Sequence, residues 1–72
     1  MDPADGKKLG HVEQFDFDRG LGTIWSEGHE YLFHCAEILD GSREINVGAS
    51  VSFVVAHRFG NIEAAEIEKM PN

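Results

Sequence analysis

Arg19-Gly20-Leu21-Gly22-Thr23-Ile24-Trp25-Ser26-Glu27-Gly28-His29-Glu30-Tyr31-Leu32-Phe33-His34 decides how this chain folds. From Gly20 to Ser26 the residues alternate, with Leu21, Thr23 and Trp25 on one face and Gly22 and Ile24 on the other. Glu27-Gly28-His29 carries a turn signal, and residues 30–34 alternate again, with Tyr31 and Phe33 opposite Leu32 and His34. A period of two on both sides of a Gly-containing break is the pattern of paired strands, since successive side chains of a strand leave opposite faces.

The same pattern extends outward. Residues 11–15 alternate and run into Asp16-Phe17-Asp18-Arg19-Gly20, a turn rich in Asp and Gly. After residue 34, residues 36–39 are short enough for one helical turn, closed by Asp40-Gly41. Residues 42–46 are irregular. Residues 47–56 read as the longest strand, with Val51, Phe53 and Val55 on one face and Ser50 and Ser52 on the other. Residues 57–61 turn, Gly60 taking the positive φ. Residues 62–68 finish the domain, with Ala65 and Ile67 inward and Glu66 and Glu68 outward. Five short strands without a long helix point to a small closed all-β barrel, an open SH3-like sheet being the alternative at this stage. Residues 1–9 read as a flexible N-terminal tail, residues 10–69 as the domain and residues 70–72 as a C-terminal tail.

Composition bounds the function. The chain has 72 residues, with six Lys plus Arg against thirteen Asp plus Glu, for a formal charge of −7. One small core fits that length, burying roughly 60% of the unfolded surface. Residues 27–72 hold eight of the carboxylates and three of the basic residues, and no basic stripe exists. Tight binding driven by phosphate neutralisation is therefore not expected; a partner read by stacking, or a basic protein, suits the charge better. No run nears the roughly 20 apolar residues of a membrane span, and no secretory signal is legible. With Cys35 as the single cysteine there is no internal disulfide, and a cytoplasmic setting is expected.

Several chemistries are disfavoured by spacing. His34 and Cys35 are adjacent on a strand and leave opposite faces, and no CxxC, HxxxH or HExxH occurs, so neither a metal site nor a Cys–His nucleophile is expected. Gly20-Leu21-Gly22 lacks the third glycine and the following helix of a phosphate cradle. Glu63, Glu66 and Glu68 read as a solvated, anti-aggregation face. No nucleophile, base and oxyanion donor can be assembled, so the chain is not expected to be an enzyme or to need a cofactor.

One constellation carries more than the pattern. Gly10-x-Val12-x-x-Phe15-Asp16-x-x-Arg19-Gly20-Leu21-Gly22-x-Ile24 resembles the opening of a cold-shock domain. Arg19 to Ile24 stands where that family has its first RNA-binding motif, usually Lys-Gly-Phe-Gly-Phe-Ile. Tyr31-Leu32-Phe33-His34-Cys35 stands where the second usually reads Val-Phe-Val-His-Phe. Val47-Gly48-Ala49-Ser50-Val51-Ser52-Phe53 resembles the fourth strand, and Gly60 with Glu63-Ala64-Ala65-Glu66-Ile67 the last turn and strand. The resemblance runs from Gly10 to about Glu68. It implies an all-β, five-stranded antiparallel OB-fold barrel that binds single-stranded RNA or DNA, as a monomer. The core it implies is Val12, Phe15, Ile24, Phe33, Ile38, Val51, Phe53, Ala65 and Ile67.

The departures fall on the binding set. Members of the family stack bases on outward aromatics. Here the usual first-strand Trp is Gln14 and the Lys before it Glu13; the two Phe of the first motif are Leu21 and Thr23. The stacking Phe of the second motif is Leu32, and the Phe after the His is Cys35. The next loop, Asp40-Gly41-Ser42-Arg43, is one residue shorter and lacks its Phe. A stacked base is worth about 1–3 kcal/mol, so binding is expected to weaken by roughly a hundredfold or more. Partial replacements are Trp25, on the same face as Thr23, Phe17 in the first turn, and Phe59 beside Arg58 in the last. Each of the three also reads as an aromatic folded onto the barrel. The expected nucleic-acid-binding residues are thus Phe17, Arg19, Leu21, Thr23, Trp25, Leu32, His34, Arg58 and Phe59. The alternative is a lost nucleic-acid site whose Leu21, Leu32 and Cys35 patch, ringed by acids, serves a protein partner.

Overall fold

The computed structural model describes residues 6–71. Residues 1–5 of the expected N-terminal tail and Asn72 of the C-terminal one lie outside that range. Five strands, β1 (Lys8–Asp16), β2 (Leu21–Ser26), β3 (His29–His34), β4 (Ser50–Arg58) and β5 (Asn61–Lys69), form a closed barrel in the order β1-β2-β3-β5-β4. A single 3₁₀ turn, Cys35–Glu37, follows β3. Neighbouring strands are antiparallel except β3 and β5, which meet in parallel at Leu32 and Glu63.

Turn chemistry sets these lengths. The β2–β3 and β4–β5 hairpins are both two-residue turns with positive φ at both positions, Glu27 (52°) with Gly28 (83°) and Phe59 (50°) with Gly60 (81°). That backbone matches the right-handed twist of the strands it joins. The tight turns carry β3 back to His29, β4 on to Arg58 and β5 back to Asn61. β1 opens at Lys8 rather than residue 11, because Lys8 and Leu9 pair with Phe53 and Ser52 of β4. β4 opens at Ser50 rather than residue 47. Residues 46–49 instead form a turn laid on β1, where Gly48 N–H donates to the Val12 carbonyl (2.8 Å) and Val12 N–H to that of Ala49 (3.0 Å).

The barrel interior is filled by Val12, Ile24, Phe33, Val51, Phe53 and Ile67, all essentially inaccessible, with Ile38 beside them. Phe15 is only half-buried and stacks on Phe33 with centroids 5.9 Å apart. Tyr31 and Ile45, absent from the expected core, are buried; Tyr31 tilts against Phe53 at 5.2 Å.

Two bulges correct the simple alternation. On β1, Glu13 is an extra residue between the Val12–Ile24 and Gln14–Thr23 pairs, so Val12 and Phe15, three apart, both point inward. On β5, Glu66 is extra between the pairs Ser52–Glu68 and Val54–Ala65, and it takes the left-handed φ of 51°. Ala64 rather than Ala65 therefore joins Ile67 in the core cluster, although Ala65 is also buried. Ser52, expected outside, is buried at the same irregularity.

Candidate functional site

The outward residues of β1, β2 and β3 form three rows across the sheet. The first is Asp16–Leu21–His34, the second Gln14–Thr23–Leu32, the third His11–Trp25–Glu30. The second row continues to Glu63 across the parallel join. Leu21 and Thr23 are half-buried, and Leu32 and Trp25 are 44% and 40% exposed. Alternation puts them outside: their neighbours Gly22, Ile24 and Phe33 are buried.

Two shallow hollows flank Leu21 and Leu32. One, of about 270 Å³, is lined on its far side by Gln14, Phe15, Asp16 and Arg19. The other, of about 280 Å³, is lined also by Phe33, His34, Arg58, Phe59 and Glu63. The structure thus gathers Arg19, Leu21, Thr23, Leu32, His34, Arg58 and Phe59 around one pair of leucines. Trp25 stands at the other end of the face, and Phe17 projects from the β1–β2 turn; neither lines these two hollows. None of the three relocated aromatics folds back into the interior. Phe17 is 64% exposed and Phe59 fully so. Cys35, by contrast, is buried under Gly20, where an added Cβ would lie 2.8 Å from its Sγ. The exposed apolar patch therefore consists of Leu21 and Leu32 without Cys35.

The electrostatics of the face are acid-dominated. Arg19 pairs with Asp16 of its own turn at 3.7 Å. Arg58 lies between two carboxylates, Glu37 at 3.3 Å and Glu63 at 3.8 Å. At the Trp25 end, Glu13 accepts the Thr23 hydroxyl at 3.3 Å. Its carboxyl also shares a hydrogen bond with Glu30 and repels it, which raises the Glu30 pKa. His34 Nδ1 accepts the N–H of Ala36 at 3.0 Å and so caps the 3₁₀ turn. The neutral ring must then carry its proton on Nε2, which makes His34 a hydrogen-bond donor. Among the described residues no group of three His, Cys, Asp or Glu stands close enough to hold a metal ion.

The sequence reading missed Glu37 and the pairing role of Glu63. Neither had a local signal: Glu37 lies 21 positions from Arg58, and Glu63 read as part of a solvated run. The Glu13–Glu30 pair was hidden by the bulge, which changes what faces what.

No family model matches the chain, and no curated protein does. Among solved structures it is similar to the cold-shock domains CSD456 of Drosophila Unr, with a TM-score of 0.77 and 27% identity. The match covers 90% of this chain and 27% of that one, so the chain spans about a quarter of the length of the Unr structure.

Proposed function

We propose that this chain, a cold-shock OB-fold barrel, is a binding module that holds single-stranded RNA or DNA weakly on the outer face of β1, β2 and β3. The observation that carries the reading is the barrel with seven of the nine expected residues drawn around the Leu21–Leu32 ridge. The fold likeness to Unr's cold-shock domains supports it. Leu21 and Leu32 supply apolar area under a base, His34 a donor to its edge, and Phe17, Trp25 and Phe59 the rings on which bases stack. Thr23 adds a hydroxyl, and Arg19 and Arg58 frame the two hollows. Aliphatic platforms lack the stacking of rings, and the paired cations limit phosphate attraction, so affinity falls roughly a hundredfold below that of an aromatic-lined face. The chain acts as a monomer, in the cytoplasm.

The test is a titration of the monomeric protein with a labelled single-stranded oligopyrimidine at two salt concentrations. Saturable anisotropy and quenching of Trp25 are expected at the lower one. A flat signal for both RNA and DNA would remove the proposal.

A second reading is favoured by the ion pairs on Arg19 and Arg58: an apolar ridge with an acidic rim suits a basic protein surface. Leu32→Asp should then abolish capture of that partner while the barrel stays folded. Partner binding that survives Leu32→Asp would exclude this use of the face.

A further inference from the structure

We infer that Phe59 is a stacking platform poised at the rim of the Leu21–Leu32 hollow, and that Glu37, Arg58 and Glu63 form a brace that aims it at one unpaired base. The inference rests on the nucleic-acid reading above and specifies the group bound at this point and the residues that position its platform.

Phe59 is costly to the chain as it stands. It occupies the first central position of the β4–β5 turn with φ 50°, a left-handed backbone that favours Asn, Asp or Gly and disfavours an aromatic side chain. Its ring is 102% exposed, so burial offsets none of that. The equivalent position of the β2–β3 turn is a control within the same molecule: Glu27 has φ 52° there and reaches Lys8 at 3.5 Å. The turn geometry therefore does not demand a ring. A disfavoured backbone carrying an unburied aromatic at the edge of an apolar hollow is explained by something that docks against the ring. The hollow, of about 280 Å³, is shallow and open to solvent. Leu21, Leu32, His34 and Phe59 all line it.

Arg58 is placed to brace rather than to bind phosphate. Its Nη1 reaches Glu37 Oε2 at 3.3 Å and Glu63 Oε1 at 3.8 Å. The other Glu37 oxygen, Oε1, accepts the N–H of Glu66, the left-handed bulge residue of β5, at 3.3 Å. One carboxylate thus ties the turn after β3 to the end of β4 and to the bulge of β5. With two carboxylates on a single guanidinium, the hairpin tip is anchored immediately before Phe59, and little of the positive charge is left for a strand.

Two sets of variants test this against a labelled oligothymidylate. First, Phe59→Trp is introduced in a Trp25→Phe background. The introduced indole should be quenched at the strand concentration that saturates the anisotropy. Anisotropy without quenching would overturn the platform while leaving the nucleic-acid reading intact; no anisotropy change in the unsubstituted protein would remove both. Phe59→Ala should lower affinity roughly tenfold with no loss of melting temperature; unchanged affinity overturns the inference. Second, Glu37→Gln keeps an acceptor for the Glu66 N–H but releases Arg58. A positioning role predicts severalfold weaker binding, and no further loss when the substitution is added to Phe59→Ala. A phosphate-binding Arg58, freed of its carboxylate, would instead bind more tightly with a steeper salt dependence, and that result would dismiss the brace.

Discussion

The two faces of β2 and β3 obey different constraints. Inward, Gly22, Ile24, Tyr31 and Phe33 meet atoms on every side, and each is buried. Outward, Leu21, Thr23, Trp25, Leu32 and His34 sit on the same backbone with water on one side. The inner residues are the close-packed apolar ones a small barrel needs, whereas the outer ones mix aliphatic Leu21 and Leu32, the hydroxyl of Thr23 and the rings of Trp25 and His34. Barrel stability and the chemistry of the outer face are therefore separable here, because the pleat keeps the two faces apart.

The sharpest way to break that comparison is to truncate two adjacent residues. Phe33→Ala, at a fully buried position, should cost about 3–5 kcal/mol in urea unfolding, a large part of a small domain's stability. Leu32→Ala, one residue away and 44% exposed, should cost less than about 1 kcal/mol. Equal losses would mean that the outer leucine belongs to the core. A smaller effect comes from Gly22, where an added Cβ would lie 2.6 Å from both the Gln14 carbonyl oxygen and Phe33 Cζ. Gly22→Ala should cost about 1–3 kcal/mol through overpacking, read as a lower denaturant midpoint with an unchanged slope.

The smallest effects concern charge and carry opposite signs. Asp40 is held down at about 2, chiefly by the backbone N–H of Ser42 and then by the Ser42 and Lys69 side chains. Its contribution is present above the ordinary 3.8 and is lost as pH falls toward 2. Asp40→Asn should therefore lower the melting temperature at neutral pH and leave it unchanged near pH ~2. Glu30 is pushed above its ordinary 4.5 by Glu13, so its charged form weakens the fold. That contribution is favourable below 4.5 and is lost as pH rises through the raised value. Glu13→Gln should raise the melting temperature at neutral pH and do nothing in acid. Both effects on stability are small because both groups face solvent.

The alternation around Gly22 and Phe33, with the Gly-containing turns, was enough to read five strands; the closed barrel and most of the interior came from the cold-shock resemblance. Strand ends were less legible because strand pairing, not propensity, decides them: Lys8 and Leu9 pair with Phe53 and Ser52 of β4. Residues 11–15 were read as alternating, although a regular strand cannot place both Val12 and Phe15 inside; the bulge at Glu13 resolves that. The Ala64–Ile67 spacing carried the same message and was read as regular, so Ala65 was found and the equally buried Ala64 was missed. On the outer face, local pattern located Leu21, Thr23, Leu32 and His34. It had no means of finding Glu37 against Arg58, a contact made only when the barrel closes.

The parallel join of β3 to β5, a single Leu32–Glu63 pair followed by an isolated bridge from Ile38 to Ile67, is the thinnest part of the wall. Amide protons along this seam should exchange with deuterium sooner than those of the β1–β2 and β4–β5 ladders, because fewer bonds must part to expose them. The row that carries Leu32 crosses the same seam. A strand lying along it would act as a stave fastened over the gap, slowing exchange there and coupling the grip on its ligand to the closure of the barrel itself.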